Sequence, residues 1–223
     1  MMIPEQNRPR DKLIIADDHP IFRHGLVELI HSTEKYTVIC EADNGKDAFD
    51  CIINCKPDIA IVDLIMPCLN GIDLLKRLAK KNIPIRVIIL TMMESESYFN
   101  DSLNWGAMGY LLKRNTKQEL LSCLTAVSMG KHYFCPDMTG YMLERTKKLD
   151  SLYQDYPALE KLTSTERHIL RLIAEKRTSK EIGNELFISY RTVQNHRANI
   201  CKKMGLKGYN SLFEFAILNK LLI

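Results

Sequence analysis

The chain has 223 residues, 46% hydrophobic and 26% charged, enough for one large domain or two small ones and too much for a peptide or a disulfide mini-scaffold. The formal net charge of +4 hides an asymmetry. From residue 161 onward there are 12 Lys/Arg against 5 Asp/Glu, net +7, which leaves residues 1–160 at −3, so a mildly acidic front and a basic tail predict two jobs, with a polyanion as partner of the tail.

Residues 1–11 carry charge and proline without an apolar h-region, and no apolar run approaches the ~18 residues of a membrane span. The expectation is a cytoplasmic protein with no membrane partner, residues 1–11 being an N-terminal extension. The seven cysteines form no CxxC pair. Most sit in apolar segments, as Cys40, Cys123 and Cys201 do, and all are expected as reduced thiols because reducing compartments disfavour disulfides. Cys51 with Cys55, and His132 with Cys135, fall short of the four ligands of a zinc site.

Residues 12–130 alternate two periods. Short apolar runs read as buried strands: LIIA at 13–16, YTVIC at 36–40, IAIV at 59–62, IRVIIL at 85–90 and GYLL at 109–112. Segments of helical pattern follow near 20–32, 45–55, 71–81, 95–105 and 116–130. Strands apolar on both faces suit a parallel sheet covered by helices on each side. The expected fold is therefore an α/β doubly wound, five-stranded parallel sheet, with ligands beyond the C-terminal strand ends. Across 131–160 the periodicity weakens, and this stretch reads as a linker with one short helix around 138–149.

Three carboxylates fall at strand ends, Asp17 and Asp18 after the first run and Asp63 after the third. Clustered carboxylates repel one another, and a divalent cation relieves the repulsion. Magnesium (Mg2+) is the expected cofactor, since it needs few protein oxygens and keeps room for water and phosphate. Thr91 and Lys113 stand at the ends of the fourth and fifth runs, a hydroxyl and an ammonium suited to a phosphoryl oxygen. Together these groups point to phosphoryl transfer onto Asp63, giving an aspartyl phosphate. Taken singly, an Asp-Asp pair is a helix start, a Thr a cap and a Lys a solvated charge. Their conjunction, each at its own strand end, carries the reading.

The stretches IIADDHP (14–20), VDLIMPCLNG (62–71), LTM (90–92) and GAMGYLLK (106–113) resemble the receiver domains of two-component response regulators. The resemblance spans residues 12–130 and implies a flavodoxin-like receiver. Asp63 would be its phosphoacceptor, and Asp17, Asp18, Asp63 and the backbone carbonyl of Ile65 would hold Mg2+. It also implies that Lys113 binds the phosphoryl group and that a sensor histidine kinase or a small acyl phosphate is the donor. Thr91 and Tyr110 would form the hydroxyl and aromatic pair of the switch. Added negative charge draws Thr91 inward and Tyr110 fills the vacated space; without such a role Tyr110 reads as a half-buried sheet-edge aromatic. Two features depart from the family pattern. Arg114 stands where many receivers carry proline, and Ile65, Met92 and Met93 make the pocket mouth bulky and apolar, which predicts a slowly hydrolysed phosphoaspartate.

In the tail, Thr163 with Glu166 and Thr178 with Glu181 have capping-box spacing, and Ser189 is a third cap. A last helix near 209–221 is apolar at Leu212, Phe215, Ala216, Leu218 and Leu222. These four short helices predict a second, smaller all-α domain over 161–223. Segments 178–187 and 189–204 are joined by a very short turn, as in a helix-turn-helix. The second presents Arg191, Gln194, Asn195, Arg197, Ala198, Lys202 and Lys203, and keeps Val193, Ile200 and Met204 apolar. Amides and guanidinium groups suit base edges and flanking cations suit phosphates, with Lys180 adding a further phosphate contact. By charge alone, a solvated basic face would look the same.

LTSTERHILRLIAEK, SKEIGNELFIS and RTVQNHRANICKKMGL resemble the LuxR/NarL-type helix-turn-helix. The resemblance brings Lys180, Arg191, Thr192, Val193, Gln194, Asn195, Arg197, Lys202 and Lys203 near double-stranded DNA. It makes Leu212, Phe215 and Ala216 dimerisation residues, while His196 packs or caps. Gly183 stands where alanine is usual, and Lys176-Arg177 replaces a turn that commonly has glycine. The two resemblances together imply a transcription regulator in which phosphorylation on Asp63 frees the tail to bind DNA as a homodimer. A phosphatase of the aspartate-nucleophile type is disfavoured because Ile65 stands where its acid would be. A dinucleotide-binding domain is disfavoured because the first run leads into DDHP and not GxGxxG. A regulator with a purely structural pocket is the nearest alternative.

Overall fold

Every apolar run of the first half becomes a strand, and each of the first five strands leads into a helix. The computed structural model describes residues 10–208, 210–220 and 222–223. In chain order these are β1 (Asp11–Ala16), α1 (Pro20–His31), β2 (Tyr36–Ala42), α2 (Gly45–Cys55), β3 (Ile59–Val62), α3 (Gly71–Lys80), β4 (Arg86–Thr91), α4 (Glu96–Asn104), β5 (Ala107–Leu112) and α5 (Lys117–Ser128). The helices start where the sequence supplies a cap. Pro20 opens α1, while Asn44 and Asn70 accept from the N–H groups of Asp47 and Asp73, and Thr116 forms a capping box with Glu119.

All pairings are parallel, in the order β2-β1-β3-β4-β5-β6. The sheet therefore has six strands where five were expected. The sixth, β6 (Tyr133–Phe134), pairs with β5 inside the stretch read as linker. Two residues at a sheet edge are too few to register as a strand period. The central strands β1 and β3 are buried on both faces, as in Ile14, Ile15, Ile61 and Val62, which is the burial of a sheet covered on both sides.

The thiols depart from expectation at one pair. Cys40 on β2 and Cys51 on α2 are joined as a disulfide, with Cα atoms 6.7 Å apart, and Cys55, Cys68, Cys123, Cys135 and Cys201 remain free. Packing of α2 on its own strand, which helical spacing alone does not show, brings the two sulfurs together. Burial pushes the Cys123 thiol up to about 12, so it is a packing residue and not a nucleophile.

The chain divides into two compact units, the first ending at Thr139 and the second Gly140–Ile223. The second is all-helical, with α6 (Thr139–Asp155), α7 (Ser164–Ala174), α8 (Ser179–Leu186), α9 (Tyr190–Met204) and α10 (Ser211–Leu218). Helix α6 is longer than the short helix expected, because only Leu152 on it is fully buried and its apolar stripe is correspondingly faint. The core of the unit contains Ile169, Leu172, Ile182, Val193, Ile200 and Phe215. Thr163 and Thr178 each close a capping box, with Glu166 and Glu181, and Ser189 accepts from the N–H of Thr192. Tyr209 and Leu221, at the ends of the expected last helix, lie outside the described residues. Among the described residues no helix is long and apolar enough to cross a membrane.

Candidate functional site

The strand registers bring the predicted pocket together. Asp17 and Asp63 lie one residue beyond the paired ends Ala16 and Val62 of neighbouring strands, and Asp63 N donates to Ala16 O at 2.9 Å. On the other side Lys113 follows β5 and its N–H donates to Thr91 O at 2.8 Å. Gly71 at the start of α3 permits the crowding: a Cβ there would stand 2.5 Å from the Asp63 carbonyl oxygen and 2.9 Å from Leu64 Cα.

Lys113 Nζ lies 2.8 Å from Asp17 Oδ2 and 2.7 Å from Asp63 Oδ2, and all three side chains are at most 6% exposed. It also sits 4.8 Å from the centre of the Phe22 ring on α1, a cation–π contact. Burial alone would lower the Lys113 value, but hydrogen bonds to Asp17 and Asp63 outweigh it and hold the ammonium above its ordinary range. Asp18 is the third carboxylate. Its Oδ1 is buried without a hydrogen-bond partner, although His19 Nδ1 approaches to 2.8 Å outside bonding geometry. Asp17, Asp18, His19 and Asp63 each offer a ligand atom within 4.8 Å of the others. Three carboxylates against one lysine leave a net negative, oxygen-rich cluster with an unsatisfied buried oxygen, and a hard divalent cation fits such a donor set.

Thr91 and Tyr110 complete the pocket. Thr91 is fully buried and its Oγ1 accepts from Met93 N at 3.3 Å. Tyr110 is also fully buried, edge-on to Phe99 with centroids 5.4 Å apart, and its hydroxyl donates to Met93 O at 2.7 Å. It is thus not a half-buried edge aromatic. Ile65 and Met92 are 50% and 70% exposed at the mouth, and Ile65 N donates to Asp63 Oδ1 at 3.3 Å.

Three participants escaped the sequence reading. Phe22 has no role in that reading, and His19 enters it only as part of the IIADDHP stretch. Arg114, noticed only as a departure from proline, donates to Glu94 at 2.7 Å and to Asp137 at 2.8 Å. That tie joins the loop after β4 to the turn after β6.

In the helical unit the predicted DNA residues separate into two groups. Lys180, Arg191, Asn195 and Lys202 are exposed, and Gln194, Thr192 and Arg197 are partly so. Val193 is fully buried in the core and presents nothing to a ligand. Lys203 stays exposed at the surface but is tied down, donating to Glu166 Oε2 at 2.6 Å and to Lys161 O at 3.2 Å. The side chains expected at a dimer contact, Leu212, Phe215 and Ala216, are at most 4% exposed within the unit's own core. The apolar side chains that α10 leaves outside are Phe213 and Leu218, 40% and 83% exposed. A helical stripe shows which residues are apolar but not whether they cover their own core or a partner.

Comparison with known proteins agrees with both halves. Residues 13–125 match the response regulator receiver domain, and residues 160–216 match the bacterial regulatory proteins of the luxR family. The chain belongs to the LuxR-type response regulators. It is 31% identical to a nitrate/nitrite response regulator protein homolog of Haemophilus influenzae, over 87% of this chain and 90% of that one. It is 32% identical to the oxygen regulatory protein NreC of Staphylococcus carnosus, over 95% and 99%. Among solved structures, the response regulator RcsB in complex with DNA aligns with a TM-score of 0.58 at 25% identity, covering 95% of this regulator and 99% of that chain.

Proposed function

We propose that this regulator is a phosphorylation-controlled, DNA-binding transcription factor whose phosphoacceptor is Asp63. The observation that carries the reading is the Lys113 ammonium held between the Asp17 and Asp63 carboxylates, beside a buried Asp18 oxygen that makes no hydrogen bond. An Asp63 oxygen attacks phosphorus in line, the bond from phosphorus to the donor's leaving group breaks, and an acyl phosphate forms on the carboxylate. The donor is the phosphohistidine of a sensor histidine kinase or a small acyl phosphate. Asp17, Asp18, Asp63 and the Ile65 carbonyl would hold Mg2+, which would offset the charge of the incoming phosphoryl group. Lys113 exchanges a carboxylate oxygen for a phosphoryl oxygen without leaving the pocket, and Thr91 donates its hydroxyl to another.

The output is carried by the tail. Lys180, Arg191 and Lys202 contact phosphates, Gln194, Asn195 and Arg197 face the major groove, and Thr192 braces the start of α9 through Ser189. Val193 supports this face from inside the unit, and Lys203 is fixed beside it by Glu166. Phosphorylation shifts the population toward a form that dimerises on double-stranded DNA, with Phe213 and Leu218 as the apolar residues of α10 available to a second copy. Residues 12–130 act as the receiver, 131–160 as the connection and 161–223 as the DNA-binding domain. The protein works in the cytoplasm and does not turn over external substrates, since Ile65 replaces the acid such an enzyme needs. Incubation with radiolabelled acetyl phosphate and Mg2+ tests the assignment: wild type takes up label and Asp63→Ala does not. Full labelling of Asp63→Ala would refute it.

A further inference from the structure

Gln194 is not free to read a base as an ordinary glutamine does. Its side chain lies between the two helices of the helix-turn-helix, where Nε2 donates to Ser179 Oγ at the start of α8, 3.2 Å away, and to the Tyr190 hydroxyl one turn back on α9, 2.9 Å away. A carboxamide nitrogen carries two hydrogens, and both are engaged inside the protein. The carbonyl oxygen Oε1 is neither hydrogen-bonded among the described residues nor counted among the buried atoms that lack a partner, so it is open to solvent. Ser179 is 8% exposed and fixed in the first turn of α8, whereas Tyr190 is 56% exposed and stands on the same face of α9 as Gln194.

From this geometry we infer that Tyr190 determines which bases Gln194 accepts. The inference rests on the proposal that α9 reads the major groove. A glutamine with a free amide pairs with adenine through two bonds, accepting from N6 and donating to N7. With both donors held by Ser179 and Tyr190, Gln194 offers an acceptor alone. An acceptor is satisfied by the amino group of adenine N6 or cytosine N4, and it faces an unfavourable oxygen at guanine O6 or thymine O4. Gln194 therefore selects an amino-bearing base, adenine or cytosine, and does not separate the two. Tyr190 is a positioning residue: it touches no base in this step and acts by withholding one N–H.

The test is selection of duplex DNA from a random pool by the full-length protein treated with beryllofluoride and Mg2+, as wild type, Tyr190→Phe and Gln194→Ala. Wild type is expected to show one position where adenine and cytosine are both accepted over guanine and thymine, and Gln194→Ala flattens that position. Tyr190→Phe keeps the ring but frees an N–H for adenine N7, so adenine should gain roughly fivefold or more over cytosine at that position alone. A general loss of stability would lower binding at every position and would not shift one base ratio. If Gln194→Ala alters no position, the placement of Gln194 on DNA fails and the inference fails with it. If Gln194→Ala flattens one position while Tyr190→Phe leaves its adenine-to-cytosine ratio unchanged, or if wild type prefers guanine or thymine there, the inference alone is overturned.

Discussion

Thr91 and Tyr110, on adjacent strands, hold opposite ends of one residue: Met93 donates its N–H to Thr91 Oγ1, and its carbonyl accepts from the Tyr110 hydroxyl. A phosphoryl group takes the Thr91 hydroxyl as a donor while Oγ1 still accepts from Met93 N, so a shift of Thr91 toward the phosphoryl group pulls on the loop that the Tyr110 hydroxyl holds from the other end. The hydroxyl and the aromatic ring are therefore linked through a single backbone unit.

Tyr110→Phe tests that coupling. Removing the buried hydroxyl leaves the Met93 carbonyl without its donor and should cost about 1–2 kcal/mol in urea unfolding. Labelling of Asp63 should persist, because the tyrosine hydroxyl is committed to the Met93 carbonyl and supplies nothing to the transfer step, while the gain in DNA affinity on phosphorylation shrinks. Unchanged stability together with an unchanged DNA response would contradict the linkage.

Lys113→Met leaves the buried Asp17 and Asp63 carboxylates without their cation. The expected cost is about 3–5 kcal/mol at neutral pH, as for other buried ion pairs stripped of one partner, with part of it recovered on adding Mg2+. In wild type the folded state holds the Lys113 proton above the ordinary value of 10.5. Its contribution to stability is thus complete below 10.5 and is lost as pH rises through the raised folded value. Chemical unfolding with and without Mg2+ measures the first effect, and an alkaline stability profile the second.

Glu166 works in the opposite direction. Burial opposes its charge, but Lys203 and the Thr163 cap outweigh burial and hold the carboxyl below its ordinary 4.5. Its contribution is complete above pH 4.5 and is lost as pH falls through the depressed folded value. Glu166→Gln should cost about 1–2 kcal/mol at pH 7, from the weakened cap and the lost charge pair with Lys203. The variant should also flatten the acid limb of a thermal melting series.

Lys176 ends α7 in a left-handed conformation, φ +63°, with Lys176 N bonded to Ile173 O and Arg177 N to Leu172 O. That is a Schellman ending, in which glycine is the unstrained residue. Lys176→Gly should stabilise the helical unit by about 0.5–1 kcal/mol in thermal unfolding. The missing turn glycine noticed in the sequence is thus a conformational cost and not a different fold.

What the sequence revealed and what it concealed follow one physical division. Strand ends were legible because fully buried strands leave unbroken apolar runs, and the pocket was legible because Asp17, Asp63, Thr91 and Lys113 each stop such a run. The β6 edge and most of α6 bury too little to leave a pattern. The direction of a side chain is likewise absent from spacing. Phe215 fits the expected interface by residue type and Val193 by resemblance, yet the structure buries both within the unit, Lys203 is tied to Glu166, and Arg114 gains its role only from Glu94 and Asp137 arriving from other loops.

The central claim is that charge added at Asp63 controls DNA binding. Its most direct measurement is the affinity of the full-length protein for a selected duplex at fixed salt and Mg2+, with and without beryllofluoride, for wild type and Asp63→Asn. Wild type should bind at least about tenfold more tightly when loaded, a coupling of roughly 1.4 kcal/mol or more, and Asp63→Asn should not respond. Equal affinities in the two wild-type states, or an undiminished response in Asp63→Asn, would contradict the account.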